Sequence, residues 1–295
     1  MQPTEHIFSV TTEAGSIPMA YTKFSPNDSS TYKPLLCVHG LTRNGRDFDY
    51  IASALCRHEK YTVYCPDIIG RNKSGNLPED KAQLYNYTTY TSNVSSFIQY
   101  ILQDEKSIDY IGTSMGGIIG MMIASAPSNP IRALVLNDIG PVLKKNALSR
   151  IKKSLSEFEH SSFTSQQDAL EKYCKIRYVD FGITDDHWDY FTSISVKQKE
   201  DGLLGVNYDT NIKQSFSVPD EDVQMWTLWD AINCPVLLIR GKNSDIIDEE
   251  CVKQMKTRGP SDFTVIELDH VGHAPSLYTS DQIKIVREWL KEKVK

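Results

Sequence analysis

One short apolar run breaks at glycine, serine and glycine and then resumes, and it constrains this chain more than any other stretch. It reads Asp109-Tyr110-Ile111-Gly112-Thr113-Ser114-Met115-Gly116-Gly117-Ile118-Ile119-Gly120, followed by Met121-Met122-Ile123-Ala124-Ser125-Ala126. The pattern predicts a strand, a sharp turn and a helix. A serine at such a turn takes a strained backbone, and the residues two before and two after it must be nearly free of side chain for strand and helix to approach closely. Gly112 and Gly116 meet that requirement. The Ser114 hydroxyl then projects at the carboxyl end of a strand, beside the first free N–H groups of a helix, where the dipole favours developing negative charge. The same spacing also closes ordinary βα turns, so a chemical role depends on what the rest of the chain can bring to the serine.

The remainder alternates around this element. His6 to Thr12 and Ile17 to Phe24 predict two strands joined by Glu13-Ala14-Gly15-Ser16, and a polar loop containing Pro26-Asn27-Asp28 follows. Leu35-Leu36-Cys37-Val38 predicts a short buried strand ending at His39-Gly40; Asp47 to Arg57 is helix-like, Tyr61 to Cys65 a strand ending in Pro66-Asp67, and Tyr87 to Leu102 a helix before the strand at Ile108 to Thr113. Pro127 and Pro130 end the helix after Ser114 before a strand at Ala133 to Asn137. Short apolar runs alternating with helices imply right-handed βαβ crossovers and a mostly parallel sheet with helices on both faces. From about residue 141 to 230 the alternation stops, and three of the four tryptophans, Trp188, Trp226 and Trp229, fall there. It resumes with Pro235 to Arg240, a helix near Glu249 to Lys256, Phe263 to Leu268, and a last helix from about Asp281 to Lys293 with the basic end Lys291-Glu292-Lys293-Val294-Lys295 in solvent.

Composition narrows the chemistry. At 295 residues the chain is long enough to bury a substantial core, and 40% apolar with 24% charged residues is globular composition. A net charge of −6 without a basic stripe disfavours nucleic acid and anionic membrane and suits a small, neutral or apolar substrate. The opening Met1-Gln2-Pro3-Thr4-Glu5-His6 lacks a basic segment followed by an apolar one, and no window approaches a membrane span, so a cytoplasmic protein is expected. The six cysteines are scattered without a C-x-x-C pair, which predicts buried free thiols rather than disulfides or a zinc site. His58-Glu59 lacks a second histidine at the H-E-x-x-H position, and Asn76 stands where a phosphate loop needs lysine, so neither a metal nor a nucleotide cofactor is expected.

A serine hydroxyl becomes a nucleophile only when a base takes its proton, and the base, a histidine, needs an acceptor to set its tautomer. Of the seven histidines, His270 and His273 lie just beyond the last predicted strand, in Asp269-His270-Val271-Gly272-His273-Ala274-Pro275. Two aspartates end earlier strands: Asp138, in Leu136-Asn137-Asp138, and Asp245, in Gly241-Lys242-Asn243-Ser244-Asp245.

With these residues in view, the sequence resembles the α/β-hydrolase fold family, specifically soluble members with an inserted helical cap such as carboxylesterases and meta-cleavage-product (carbon–carbon bond) hydrolases. The resemblance spans nearly the whole chain and rests on His39-Gly40, on the serine turn, on the Asp245 loop and Gly272-His273, and on Asp67-Ile68-Ile69-Gly70-Arg71-Asn72-Lys73-Ser74. The last resembles the family's D-x-x-G-x-G-x-S turn but has Asn72 at the second glycine, a loop variation. The resemblance implies a core of residues 1–140 and 231–295 with an eight-stranded, mostly parallel sheet, and a helical cap over 141–230. It implies the triad Ser114, Asp245 and His273, the acid being placed by the family's order, with Asp138 the alternative acid and His270 the alternative base. It also implies an oxyanion hole of the Leu41 and Met115 backbone N–H groups, His39 holding that loop. The expected function is cofactor-free hydrolysis of a small carboxylic ester through an acyl-enzyme on Ser114. The alternatives are carbon–carbon bond hydrolysis, for which Arg177 is the candidate carboxylate ligand although a solvated surface role is its default, or a binding protein that keeps the pocket without the chemistry. The cap's Phe158, Phe163, Phe181, Phe191 and tryptophans are expected mainly to pack on one another, and the chain to be a monomer or homodimer.

Overall fold

The computed structural model describes residues 2–26, 32–103 and 105–294, so the loop expected at Pro26-Asn27-Asp28 lies, from Asn27 on, outside the described residues, as does Lys295. Eight strands form the main sheet: β1 (Thr4–Thr12), β2 (Gly15–Phe24), β3 (Lys33–Val38), β4 (Tyr61–Pro66), β5 (Ile108–Thr113), β6 (Ile131–Asn137), β7 (Val236–Gly241) and β8 (Phe263–Leu268). Their order is β1-β2-β4-β3-β5-β6-β7-β8. β1 pairs with β2, and β2 with β4, antiparallel; every other neighbour is parallel. β5, which leads into Ser114, lies centrally between β3 and β6.

The longer helices are α1 (Asp49–His58), α2 (Tyr87–Leu102), α3 (Met115–Ala124), α4 (Lys145–Glu157), α5 (Trp188–Ser195), α6 (Glu249–Met255) and α7 (Ser280–Lys293). Three begin at a side chain that takes up an orphan N–H: Asn86 accepts from Thr89, Asp248 from Cys251 and Thr279 from Gln282. Because side chains alternate along a strand, the central strands are apolar on both faces. Leu35, Cys37, Ile111, Val135 and Leu237 meet α1 and α7 through Ile51, Leu55 and Trp289. Leu36, Tyr110, Leu134, Leu136 and Leu238 meet α2, α3 and α6 through Val94, Phe97, Ile119 and Met255. Each fully buried Val, Leu, Ile, Phe or Met among them stabilises the fold by about 1.5–3 kcal/mol.

Between β6 and β7 the chain adds no strand to this sheet. It forms α4, a helical run over 166–177 and α5, and also two short ribbons that apolar patterning did not predict, Val142–Leu143 with Val223–Gln224 and Val196–Gln198 with Leu204–Val206. Phe158, Phe163, Tyr173, Tyr178 and Phe191 pack ring against ring there. Trp188 joins them, whereas Trp229 packs on Phe263 of β8 and Trp226 lies under Arg258. Buried polar contacts seat this segment on the first half of the chain: Asn44 Nδ2 donates to the Ile194 carbonyl at 2.8 Å, Arg43 Nη1 to Ser195 Oγ at 2.6 Å, and Tyr85 Oη to Asp209 at 2.6 Å.

Candidate active site

β5 runs straight into α3 with Ser114 alone between them, at φ +51° and ψ −112°. That backbone is costly for any side-chain-bearing residue, and the surroundings hold it by close approach. A Cβ on Gly116 would stand 2.0 Å from the Val38 carbonyl oxygen, and one on Gly112 2.5 Å from the backbone of Gly116. The two glycines are therefore what lets helix and strand meet. The Ser114 hydroxyl does not cap its own helix. It lies instead 2.9 Å from His273 Nε2, on the loop after β8.

His273 Nδ1 meets Asp138 Oδ2 at 2.7 Å. Asp138 follows β6 directly, is fully buried, and also accepts from the Gly241 N–H at 2.9 Å and the Ser244 hydroxyl at 2.5 Å. An ionised carboxylate only accepts, so Nδ1 carries the proton, and Nε2 is left with a lone pair toward Ser114. This corrects the expectation that Asp245 orients the histidine. Asp245 is turned to α4, where Arg150 grips it through Nε at 2.6 Å and Nη2 at 2.7 Å, and its side chain is 46% exposed. Partial burial alone would raise the Asp245 carboxyl; the Arg150 guanidinium overrides that and holds it below the usual carboxylate range. From the Asp245 loop it is the preceding residue, Ser244, that reaches the site, and it does so as a donor to Asp138. His270 is exposed.

The loop after β3 is pinned on two sides. His39 is fully buried; the Ile68 N–H donates to its Nε2 at 2.9 Å, so its Nδ1 carries the proton and donates to the Gly40 carbonyl at 2.7 Å. Burial pushes the imidazole down to about 3, which keeps it neutral. Arg71, also buried, donates to the carbonyls of Leu41 at 2.9 Å and Ile69 at 2.7 Å and to the Tyr90 hydroxyl at 2.9 Å. Patterning gave Arg71 no role, since only its neighbours carried the turn motif. Asn72 adopts φ +45°, a left-handed conformation asparagine tolerates, which is how it replaces a glycine. Its amide donates to Asp67 at 2.9 Å and accepts from Asn207 at 3.0 Å. The Met115 N–H is the first of α3 and so has no partner within the helix.

A cavity of about 80 Å³ opens on Ser114 and His273, walled by Leu41, Thr42, Arg177 and Tyr178. Arg177 is thus a half-buried cavity residue, which corrects the expected solvated surface role. A second, more apolar cavity of about 310 Å³ shares Leu41 and is lined by Met115, Tyr87, Leu148, Phe216 and Met225. Of the aromatic residues between β6 and β7, Tyr178 and Phe181 reach the first cavity and Phe216 the second; the tryptophans reach neither. All six cysteines are free. Among the described residues no helix is long and apolar enough to cross a membrane.

The profile of the alpha/beta hydrolase fold matches residues 33–170. The chain is 36% identical over 286 residues to the 3-hydroxybutyrate-oligomer hydrolase of Cupriavidus necator, covering 94% of each chain. It is 24% identical to Lipase 3 of a Moraxella species, over 91% of this chain and 82% of that one. Among solved structures, one from Rickettsia typhi superposes with a TM-score of 0.85 at 33% identity over 99% of both chains. An α/β hydrolase from Novosphingobium aromaticivorans does so with a TM-score of 0.83 at 26% identity, again over 99% of both. The chain belongs to the α/β-hydrolase fold family and is a hydrolase of that fold.

Proposed function

We propose that this protein is a serine hydrolase of short carboxylic esters, with esters of hydroxyacids as its substrate class. The observation that carries the proposal is the continuous relay from Ser114 through His273 to Asp138 at 2.9 and 2.7 Å. Asp138 would hold His273 in the tautomer whose Nε2 takes the Ser114 proton as Oγ attacks the ester carbonyl. The Leu41 and Met115 N–H groups would receive the negative charge that develops on the carbonyl oxygen, a donor of this kind contributing about 3 kcal/mol. His273 would pass its proton to the departing alkoxide. Water, deprotonated by the same nitrogen, would then release the acyl-enzyme. Residues 141–230 are read as a cap that narrows access, as their contributions to both cavities suggest. The substrate class is supported by the relative from Cupriavidus necator, whose name specifies 3-hydroxybutyrate oligomers.

A fluorophosphonate probe should label Ser114, and Ser114→Ala should abolish both labelling and hydrolysis of a 3-hydroxybutyrate dimer while remaining folded. Undiminished labelling of the alanine variant would refute the assignment. A kcat/KM for a 2-hydroxy-6-oxo-dienoate about a hundredfold above that for the best ester, or about 2.7 kcal/mol in transition-state binding, would instead favour carbon–carbon cleavage.

A further inference from the structure

The cavity in front of Ser114 carries fixed charge of one sign: among the described residues Arg43, Arg150 and Arg177 line it, and no aspartate or glutamate does. Two of these guanidinium groups are already matched. Arg43 holds Asp47 through Nε at 2.9 and 3.1 Å and stacks 3.8 Å from the Phe191 ring centre, and Arg150 is clamped on Asp245. Arg177 differs. Among the described residues it has no carboxylate within ion-pair distance. Its Nη1 donates to Ser154 Oγ and its Nη2 to Thr42 Oγ1 at 3.3 Å, both neutral hydroxyls of the same cavity wall. The Tyr178 and Phe158 rings flank it at 5.6 and 5.9 Å.

A guanidinium kept on a cavity wall by hydroxyls and rings retains donors in the planar fork that suits a carboxylate. Thr42 follows Leu41, so this group is tied to the very loop assigned to the oxyanion.

We propose that Arg177, with the hydroxyls of Thr42 and Ser154, forms a carboxylate subsite, and that the preferred substrates are esters bearing a free carboxylate in their alcohol half. The proposal rests on the ester-hydrolase reading above. The terminal ester of a hydroxyacid oligomer has this form. Attack of Ser114 Oγ on its carbonyl carbon breaks the bond to the alcohol oxygen. That oxygen takes the proton His273 removed from Ser114, and the released hydroxyacid leaves with its carboxylate still facing Arg177. Water then hydrolyses the acyl-enzyme, and the chain is one unit shorter. Cleavage is thereby directed to the carboxyl end.

The test compares kcat/KM for a 3-hydroxybutyrate dimer with that for its methyl ester, which keeps the shape and removes the charge. The wild-type protein should prefer the free acid by about tenfold or more, and the preference should fall as salt is raised. Arg177→Met should lower kcat/KM for the free acid about tenfold more than for the methyl ester, mainly through KM, and Arg177→Lys should restore part of the difference. Equal wild-type rates on the two esters would overturn the subsite even if the variants fail to fold. So would a preference that survives Arg177→Met but is lost in Arg150→Met. Failure of both esters to react, together with an unlabelled Ser114, would instead refute the hydrolase reading.

Discussion

Asp138 and His273 meet at 2.7 Å although 135 positions separate them, and the contact places the acid of the candidate relay at the end of β6. Loss of this acceptor should be felt in turnover more than in folding. Asp138→Asn presents an amide N–H or a weaker acceptor to Nδ1, favours the wrong tautomer, and should lower kcat by about 10³- to 10⁴-fold. Asp245→Asn breaks only an exposed ion pair with Arg150, worth about 0–1 kcal/mol, and should keep most activity. Steady-state kinetics on one ester compare the two, and the opposite ranking would return the acid to Asp245.

Ser114 should also report the strain of its turn. At φ +51° a Cβ is disfavoured, so Ser114→Gly should be more stable than Ser114→Ala by about 1 kcal/mol, although glycine ordinarily costs stability relative to alanine. Both variants should be inactive. Urea unfolding of the pair measures this, and an alanine variant as stable as the glycine one would show that the turn is not strained.

His39 should leave a pH signature in stability. Its folded value, pushed down to about 3 by burial, lies below the ordinary 6.5, so the unfolded chain takes up this proton first as pH falls. Its contribution is therefore fully present above about pH 6.5 and is lost progressively as the pH falls toward 3, at about 1.4 kcal/mol per unit. Asp49 and Asp67, which burial pushes up to about 6, act in the opposite sense by taking their protons first in the folded state. The variant isolates the histidine: His39→Asn should cost about 1–3 kcal/mol at pH 7.5, with the deficit shrinking by about 2 kcal/mol at pH 5. Urea titrations at both pH values check this, a pH-independent deficit being the contrary result. Because His39 fixes the Gly40 carbonyl beside the assigned oxyanion donor, kcat should fall with it.

What the sequence determined by itself was everything encoded by local spacing. Gly112 and Gly116 around Ser114 announce a strand and helix packed too closely for any Cβ, and the alternation of short apolar runs with helices dictates a parallel sheet wrapped on both faces. The last strand locates His270 and His273 together at the carboxyl edge of the sheet, and the choice of His273 comes from the resemblance of Gly272-His273 to the family's pattern. The choice between Asp138 and Asp245 was made only in three dimensions. Both stand just past strand ends, and nothing local shows that the chain after β7 turns Ser244 inward and Asp245 outward to a partner on α4. Arg71 and Arg177 were hidden for the same reason. The place of a buried or cavity-lining arginine is set by carbonyls, hydroxyls and rings distant in sequence, here Leu41, Tyr90, Thr42 and Ser154, and such contacts leave no periodicity to read. Backbone form follows from near neighbours, but the direction of a long or charged side chain follows from whichever partner the folded chain brings to it.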